Sequence, residues 1–322
     1  MRTIAAAAGL IAGLIATAAL AQAPAKIRIG HGPGSDLTLL LMVAKPEIAP
    51  GMGKSYTVEY ENFRGTEPRF KAFLAREIDG ATGSGHGVLF AAAQGIEFTV
   101  VASISRESVG RGFNTTYVVA ENSPIASTKD VKGKIVGING FKSSIHLWAL
   151  AALQKAGLQP ERDYRFAVVP FGAQAGAVRS AKLDVAALVQ PFYEQESRKG
   201  GFRPLFTSKD AMPFDEELQV LFFDPAFLAK NGGAVRAYLA DFVAATRYYL
   251  DQPRAAREAL VKAKQAELEP ELFYAMQDFD RDRDGRINLQ NLAKMQDAQI
   301  AAGFQEKRID VAKIVDLGYL PR

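Results

Sequence analysis

All three histidines of the chain, His31, His86 and His146, fall in or beside glycine- and serine-rich stretches at 30–36, 83–87 and 140–145. An imidazole there can donate to a carboxylate, sulfonate or phosphate with pH-sensitive strength, or it can ligate Zn²⁺ or Fe. No carboxylate clearly completes a metal set, and separate loop histidines, with His146 turned outward on its helix, form the plainer alternative. Ser35, Ser84, Ser143 and Ser144 add hydroxyl donors to the same stretches. Each is equally suited to capping a helix, so capping and ligand contact stay open together for Ser84 and Ser144. Gly65-Thr66 is a weaker candidate of the same type.

The surrounding pattern says what positions these groups. Residues 26–30 (KIRIG) read as a short strand, and 37–44 as an apolar helix. Residues 56–62 form an alternating strand, 67–77 an amphipathic helix, 79–83 a strand, 88–94 a small-residue helix and 97–104 a buried strand. The pattern restarts with strands at 115–120 and 131–138, a helix over 145–156 closed by Gly157, a strand at 165–169, a helix at 172–180 and a strand at 185–189. A strand at 218–223 leads into helices at 226–230, 234–250, 254–264 and 270–279, then a final pair at 288–302 and 311–315. Repeated strand–loop–helix units predict an α/β fold with largely parallel sheet. In such sheets ligands sit beyond the carboxyl ends of strands, where loops feed helix N-termini with free N–H groups.

Composition narrows the function. The chain has 322 residues, of which 48% are hydrophobic and 23% charged, enough for two domains with substantial cores. Zero cysteine excludes disulfides, zinc-thiolate and iron–sulfur sites, Cys nucleophiles and a lipidated Cys. The net charge of +4 arises without any dense basic block, so no nucleic-acid partner is expected. Arg2, an uncharged run from Ile4 to Leu20 and an Ala19-Leu20-Ala21 end describe a secretory signal peptide over 1–21, cleaved after Ala21. That pattern suits a bacterial periplasm.

The segment SPIASTKDVKGKIVGINGFKSSIHLWALAALQKAGLQPERDYRF resembles the periplasmic substrate-binding proteins of ABC importers, in the nitrate, sulfonate, taurine and thiamine-precursor group. The matching residues are Asp130-Val131-Lys132-Gly133-Lys134, Ser143-Ser144 and Gly157-Leu158-Gln159-Pro160-Glu161. FLAREIDGATGSGHGVLFAAAQG and the closing IDVAKIVDLGYLP are similar to segments of the same family. The resemblance implies a type II-like fold of two lobes with a cleft between them. Lobe I would take 24–110 plus 217–322, and lobe II 111–216. It also implies a small-molecule ligand, no catalysis, no cofactor, a permease and ATPase complex as partner, and a monomer. Gln190, Phe192 and Tyr193 occupy a segment where this family often places a cleft wall, and Phe171 would join it. Aromatic walls favour an organic ligand over a bare inorganic anion, although core packing suits Phe192 as well.

Trp148, Phe222 and Phe223 read as core; Arg64 and Arg106 lie near strand ends where an arginine can pair with an anion, and of the two only Arg64 is kept as a weak candidate, since most such arginines are solvated. DFDRDRDGRINLQN copies an EF-hand at Asp280, Asp282, Asp284 and Gly285, but Asn291 stands where the bidentate Glu belongs. A charged turn at Asp284-Gly285 with Asn288 capping the next helix is the favoured reading, and calcium the lesser one. The function expected from the sequence is therefore capture of a small polar or anionic organic molecule for a permease. Alternatives are presentation of the ligand to a sensor kinase, and an enzyme like the thiamine-pyrimidine synthase. The absence of Cys and the export signal speak against the enzyme.

Overall fold

A computed structural model describes residues 23–32, 36–63, 65–266 and 268–322. The segment expected as a signal peptide lies outside the described residues up to position 22. Strand β1 (Ala25–His31) buries its alternate apolar residues Ile27 and Ile29, and α1 (Leu37–Ala44) follows. β2 (Tyr56–Asn62), α2 (Thr66–Leu74), β3 (Gly80–Ser84), α3 (Gly85–Ala93) and β4 (Thr99–Glu107) continue the alternation. All of β3 and nearly all of β4 are buried, which is why they read as unbroken small and apolar runs.

The chain then crosses to a second set of elements: β5 (Thr116–Ala120), β6 (Ile135–Ile138), α4 (Ser144–Lys155), β7 (Arg165–Val168) and α5 (Phe171–Arg179). These are completed by β8 (Ala186–Leu188), α6 (Phe192–Lys199), β9 (Phe202–Thr207) and the short α7 (Ser208–Ala211). It returns through β10 (Glu216–Phe223) to α8 (Pro225–Asp251), α9 (Pro253–Lys262), α10 (Pro270–Ala275) and α11 (Leu289–Ala301).

The first sheet has the order β2-β1-β3-β10-β4. β2 and β3 run parallel to β1, while β10 runs antiparallel to both β3 and β4. The second sheet orders β8-β5-β9, with β5 antiparallel to both neighbours. The parallel pair β6-β7 adjoins it through a bridge from Val136 to Val185. In each sheet the reversed strand is the one by which the chain arrives from the other sheet. The expected two-lobe α/β architecture is the one observed, with mixed sheets.

Three local expectations change. Residues 226–230 and 234–250 belong to one helix, α8, bent where Asn231 leaves helical geometry at φ −120°. Residues 128–131 form a 3₁₀ turn capped by Ser127 and Asp130, so the following strand starts only at Ile135. Residues 192–199, with 202–207 after them, supply a helix and an edge strand that the sequence pattern did not announce.

Each sheet is packed on both faces. Tyr56, Tyr238 and Phe242 cover one face of the first, and Phe73, Phe98 and Phe222 the other. Phe222 lies 5.2 Å from a stacked Phe70 and 5.0 Å from an edge-on Phe73. Truncating such a side chain costs about 3–5 kcal/mol. In the second lobe Tyr117 stacks on Phe206 at 4.3 Å beside the fully buried Trp148. Gly85 opens α3 hard against β10, since a Cβ there would lie 2.1 Å from the Glu217 carbonyl oxygen. Glycine is required, and the contact pins the start of α3 to the crossing strand.

The crossings carry three fully buried carboxylates. Glu107 accepts from Thr115 N at 3.0 Å, from the Thr115 hydroxyl and from Ser208; burial pushes its carboxyl up to about 7. Glu216 faces His86 Nε2 at 2.6 Å, Trp148 Nε1 at 3.0 Å and Lys209 Nζ. Burial alone would raise its pKa, but the His86 hydrogen bond and the Lys209 charge hold it below the ordinary value. Glu217 accepts from Ser103, Arg106 and the Asn288 amide.

Candidate ligand-binding cleft

Between the two sheets lies a cleft of about 550 Å³, within the range of small-molecule sites. Gly32, Asn62, Gly65, Arg69, Ser84, Leu218 and Gln219 line it from the first lobe. Asn139, Ser143, Ser144, Phe171, Gln190 and Phe192 line it from the second.

The polar end is built at the start of α4. Ser143 caps this helix by accepting from His146 N at 3.3 Å, and its hydroxyl lies 2.9 Å from Asn139 Oδ1. The first-turn amides of Ser144 and Ile145 have no intrahelical partner by the geometry of any α-helix, and they carry the positive end of its dipole. Ser144 is 3% exposed, and its Oγ has no hydrogen-bond partner among the described residues. Gln219 Oε1, across the cleft on β10, is in the same position. A buried polar atom left unpaired costs about 1–3 kcal/mol, so both atoms are poised for a ligand group.

Arg69 of α2 contributes the buried cation. It donates to the Thr82 carbonyl at 2.8 Å and to the Thr82 hydroxyl, which in turn donates to Asp36 Oδ2 at 2.7 Å. Asp36 also accepts from Gly32 N at 2.9 Å, so one network holds the β1–α1 loop against α2. Burial holds the Arg69 pKa below its ordinary value, and the Asp36 charge offsets only part of that. A Cβ on residue 32 would meet Arg69 Nη2 at 2.9 Å; glycine lets the backbone pass over the guanidinium.

Of the residues expected from sequence, Gly65, Ser84, Ser143, Ser144, Gln190, Phe192 and Phe171 line this cleft. Ser84 also caps α3 by accepting from Gly87 N at 3.1 Å. Gln190 is fixed by its Nε2 donating to the Gln277 carbonyl at 2.9 Å, and Phe192 stacks on Phe171 with centroids 6.3 Å apart. Ser35, Arg64 and the Thr66 side chain lie outside the described residues.

Four expectations are corrected by placement. His86 is fully buried against Glu216, and its ring does not line the cleft. His146 sits among Phe141, Phe166 and Phe304, with Nδ1 accepting from Lys142 N at 3.2 Å. Tyr193 packs on Phe113 at 5.1 Å. Trp148 is in the core as read from the sequence, and its indole also donates to a buried carboxylate. His31 is 7% exposed and lines a smaller adjoining chamber instead of the main cleft. The three histidines thus serve three separate environments.

Sequence reasoning missed Arg69, Asn62, Asn139 and Gln219. Arg69 reads as one more charge on an amphipathic helix, and only the fold shows that it faces inward. Arg106 is fully engaged with Glu217, Asp282 and the Arg286 carbonyl. The carboxylates of the EF-hand-like segment are likewise spent: Asp280 on Ser108 and Arg111, Asp282 on Arg106, Asp284 on Arg247. Gly285 turns at φ 66° and Asn288 caps α11, as the turn reading required. Among the described residues no group of three His, Asp or Glu side chains is arranged to hold a metal ion.

The family model of the NMT1-like family matches residues 21–263. The chain belongs to the NMT1-like family. A curated relative from Escherichia coli (strain K12), carried under the name of an aliphatic sulfonates-binding protein, is 27% identical over 238 residues, 72% of this chain and 70% of its own. The alkanesulfonate-binding protein from Xanthomonas axonopodis pv. citri, solved bound to MOPS, has a TM-score of 0.72 at 19% identity, covering 91% of this chain and 99% of its own. The periplasmic nitrate-binding protein from Synechocystis PCC 6803 has a TM-score of 0.71 at 13% identity, covering 92% and 87%. At these identities the two solved structures speak for the fold. Together with the family match they bear out the resemblance read from residues 123–166 of this NMT1-like chain.

Proposed function

We propose that this NMT1-like chain is the solute-binding component of an ABC importer, and that its solute is an organic anion of the sulfonate class. Relatives named for binding sulfonates and nitrate support a binding role over catalysis. The observation that carries the ligand class is the unpartnered Ser144 Oγ, buried beside free α4 amides in a cleft that also holds the Arg69 guanidinium. Three oxygens of a sulfonate can meet such donors at once, while Phe171 and Phe192 offer an apolar wall to an organic body. Taurine belongs to the sulfonate class but carries an ammonium where an apolar body would sit; aromatic carboxylates and thiamine-type pyrimidines are the competing ligands, and nitrate would leave the aromatic wall unused.

In this reading the chain is exported by cleavage after Ala21 and works as a periplasmic monomer. Lobe I (24–110 plus 217–322) and lobe II (111–216) close on the ligand by hinge motion at the crossings and present it to a membrane permease and its ATPase. Thermal unfolding of the signal-free protein against alkanesulfonates, taurine, nitrate, aromatic carboxylates and pyrimidines tests it. A ligand at about 100 times its Kd adds roughly 2.7 kcal/mol, and alkanesulfonates should give the largest midpoint rise. Protein freed of carried-over ligand that responds to none of them would overturn the reading.

A further inference from the structure

A second chamber of about 230 Å³ adjoins the cleft. The two share Gly32, Asn62 and Phe192 as wall residues, so they adjoin at the Phe192 ring. Both have mixed polar and apolar walls, and they differ in what lies at the far end. The cleft ends in the Ser144 amides and hydroxyl, whereas the chamber has an apolar floor of Leu37, Leu268, Phe273 and Met276, each at most 8% exposed, with half-buried Leu40 beside them, under a polar rim of His31, Asp36, Lys264 and Gln265. The floor itself offers no hydrogen-bonding group, so it favours an apolar segment of a ligand, and a bare inorganic anion held at α4 would leave it unfilled.

We infer that the ligand is an amphiphilic organic anion whose head sits at the start of α4 and whose apolar tail passes Phe192 into this second chamber. The inference rests on the anion-binding reading above and adds the shape of the molecule. Phe192 has a positional reason to serve as the divider. Its ring packs over Gly172 at the start of α5, where a Cβ would come within 3.2 Å, and it stacks on Phe171. The ring is thereby fixed at the junction, offering one edge to the cleft and one to the chamber. Leu40, on the exposed flank of α1, is the wall residue most easily changed without cutting into the core.

Titration calorimetry with linear alkanesulfonates from methanesulfonate to octanesulfonate tests the inference on the wild-type protein. Each methylene that enters an apolar chamber should tighten binding about fourfold, so affinity should climb steeply beyond the first few carbons. Leu40→Trp, which fills the chamber, should flatten that climb, and Leu40→Gln, which makes it polar without bulk, should reduce it. Short sulfonates that bind with no gain from added length, or an unchanged climb in both variants, would overturn the tail chamber and leave the head-group reading standing. Binding of no sulfonate at any length would overturn the head-group reading, and the chamber with it.

Discussion

The indole nitrogen of Trp148 donates to both carboxylate oxygens of Glu216, at 3.0 and 3.1 Å. Trp148 stands one helical turn after Ser144, so the α4 turn that lines the cleft also anchors the strand by which the chain crosses between lobes. His86 meets the same carboxylate from α3 and Lys209 from α7, so elements packed on both sheets converge on one buried charge. Glu216→Ala should cost about 3–5 kcal/mol, because it strands a buried cation and two donors. Urea unfolding followed through Trp148, the only tryptophan in the chain, measures this; a loss below about 1 kcal/mol would contradict the pinning role.

Ser144 and Ser84 should separate affinity from stability. The Ser144 hydroxyl has no hydrogen-bond partner among the described residues, so Ser144→Ala should leave the unfolding midpoint nearly unchanged and weaken ligand binding about tenfold, the worth of a net hydrogen bond. Ser84 holds the Gly87 amide, so Ser84→Ala should lower stability by about 1 kcal/mol. Calorimetry and thermal melts on the two variants check the split. Equal losses of stability would mean that Ser144 also caps its helix.

His146 should destabilise the protein in acid. Burial, then the Lys142 charge, pull its pKa from 6.5 down to about 4. Between those values the unfolded chain binds the extra proton, so the contribution is complete above about pH 6.5 and is lost as pH falls through 4. Glu107, pushed up to about 7, acts with opposite sign: its contribution is full below about pH 4.5 and fades as pH rises through 7. Comparing His146→Asn with wild type isolates the histidine, since Asn can still accept from the Lys142 amide. Relative to wild type, the variant should gain about 2–3 kcal/mol on going from pH 7.5 to 4.5. Parallel urea-stability profiles would refute this.

Lys142 reaches from the loop before α4 to the first lobe. Its Nζ lies 4.9 Å from the Phe90 ring centroid and 4.6 Å from that of Phe304, and it donates to the Phe304 carbonyl at 3.1 Å. A partly desolvated cation–π contact is worth about 0.5–2 kcal/mol. If Lys142→Met releases the lobes toward a more open arrangement, the competent fraction falls, and apparent affinity with it, between about twofold and thirtyfold. Small-angle scattering of the ligand-free variant should show a larger radius of gyration. Unchanged affinity and radius would make the contact incidental.

Much of the fold is legible in the sequence because burial leaves local marks. The alternation of 26–30 gives β1 almost to the residue, and Gly157, at φ 83°, closes α4 where the pattern placed it. Direction is less legible: nothing in the apolar run at 218–223 says that β10 runs against its neighbours. Partners are the least legible of all. The carboxylate that His86 meets is 130 residues away in sequence, and the donors to Glu217 come from two distant segments, β4 and the turn before α11. Loop serines and glycines at strand ends lead to the cleft because backbone geometry puts them there. Arg69 and Gln219 reach it through long-range packing, which leaves no periodic trace. The same limit explains the histidines: a shared loop context suggested a shared site, yet strand pleat and helix rotation aim each ring elsewhere.

Glu216 and Glu217 are neighbours on one strand and serve opposite sides, one toward His86, Trp148 and Lys209, the other toward Ser103, Arg106 and Asn288. Strand geometry makes that division all-or-nothing. A one-residue slip of β10 would exchange the two carboxylates and aim each at the other's partners. The register of β10 is therefore keyed by charge on both faces, and the connection that leads into it is itself tied down, by Met212 in the core of the second lobe and by Asp215, which accepts from Val109 N.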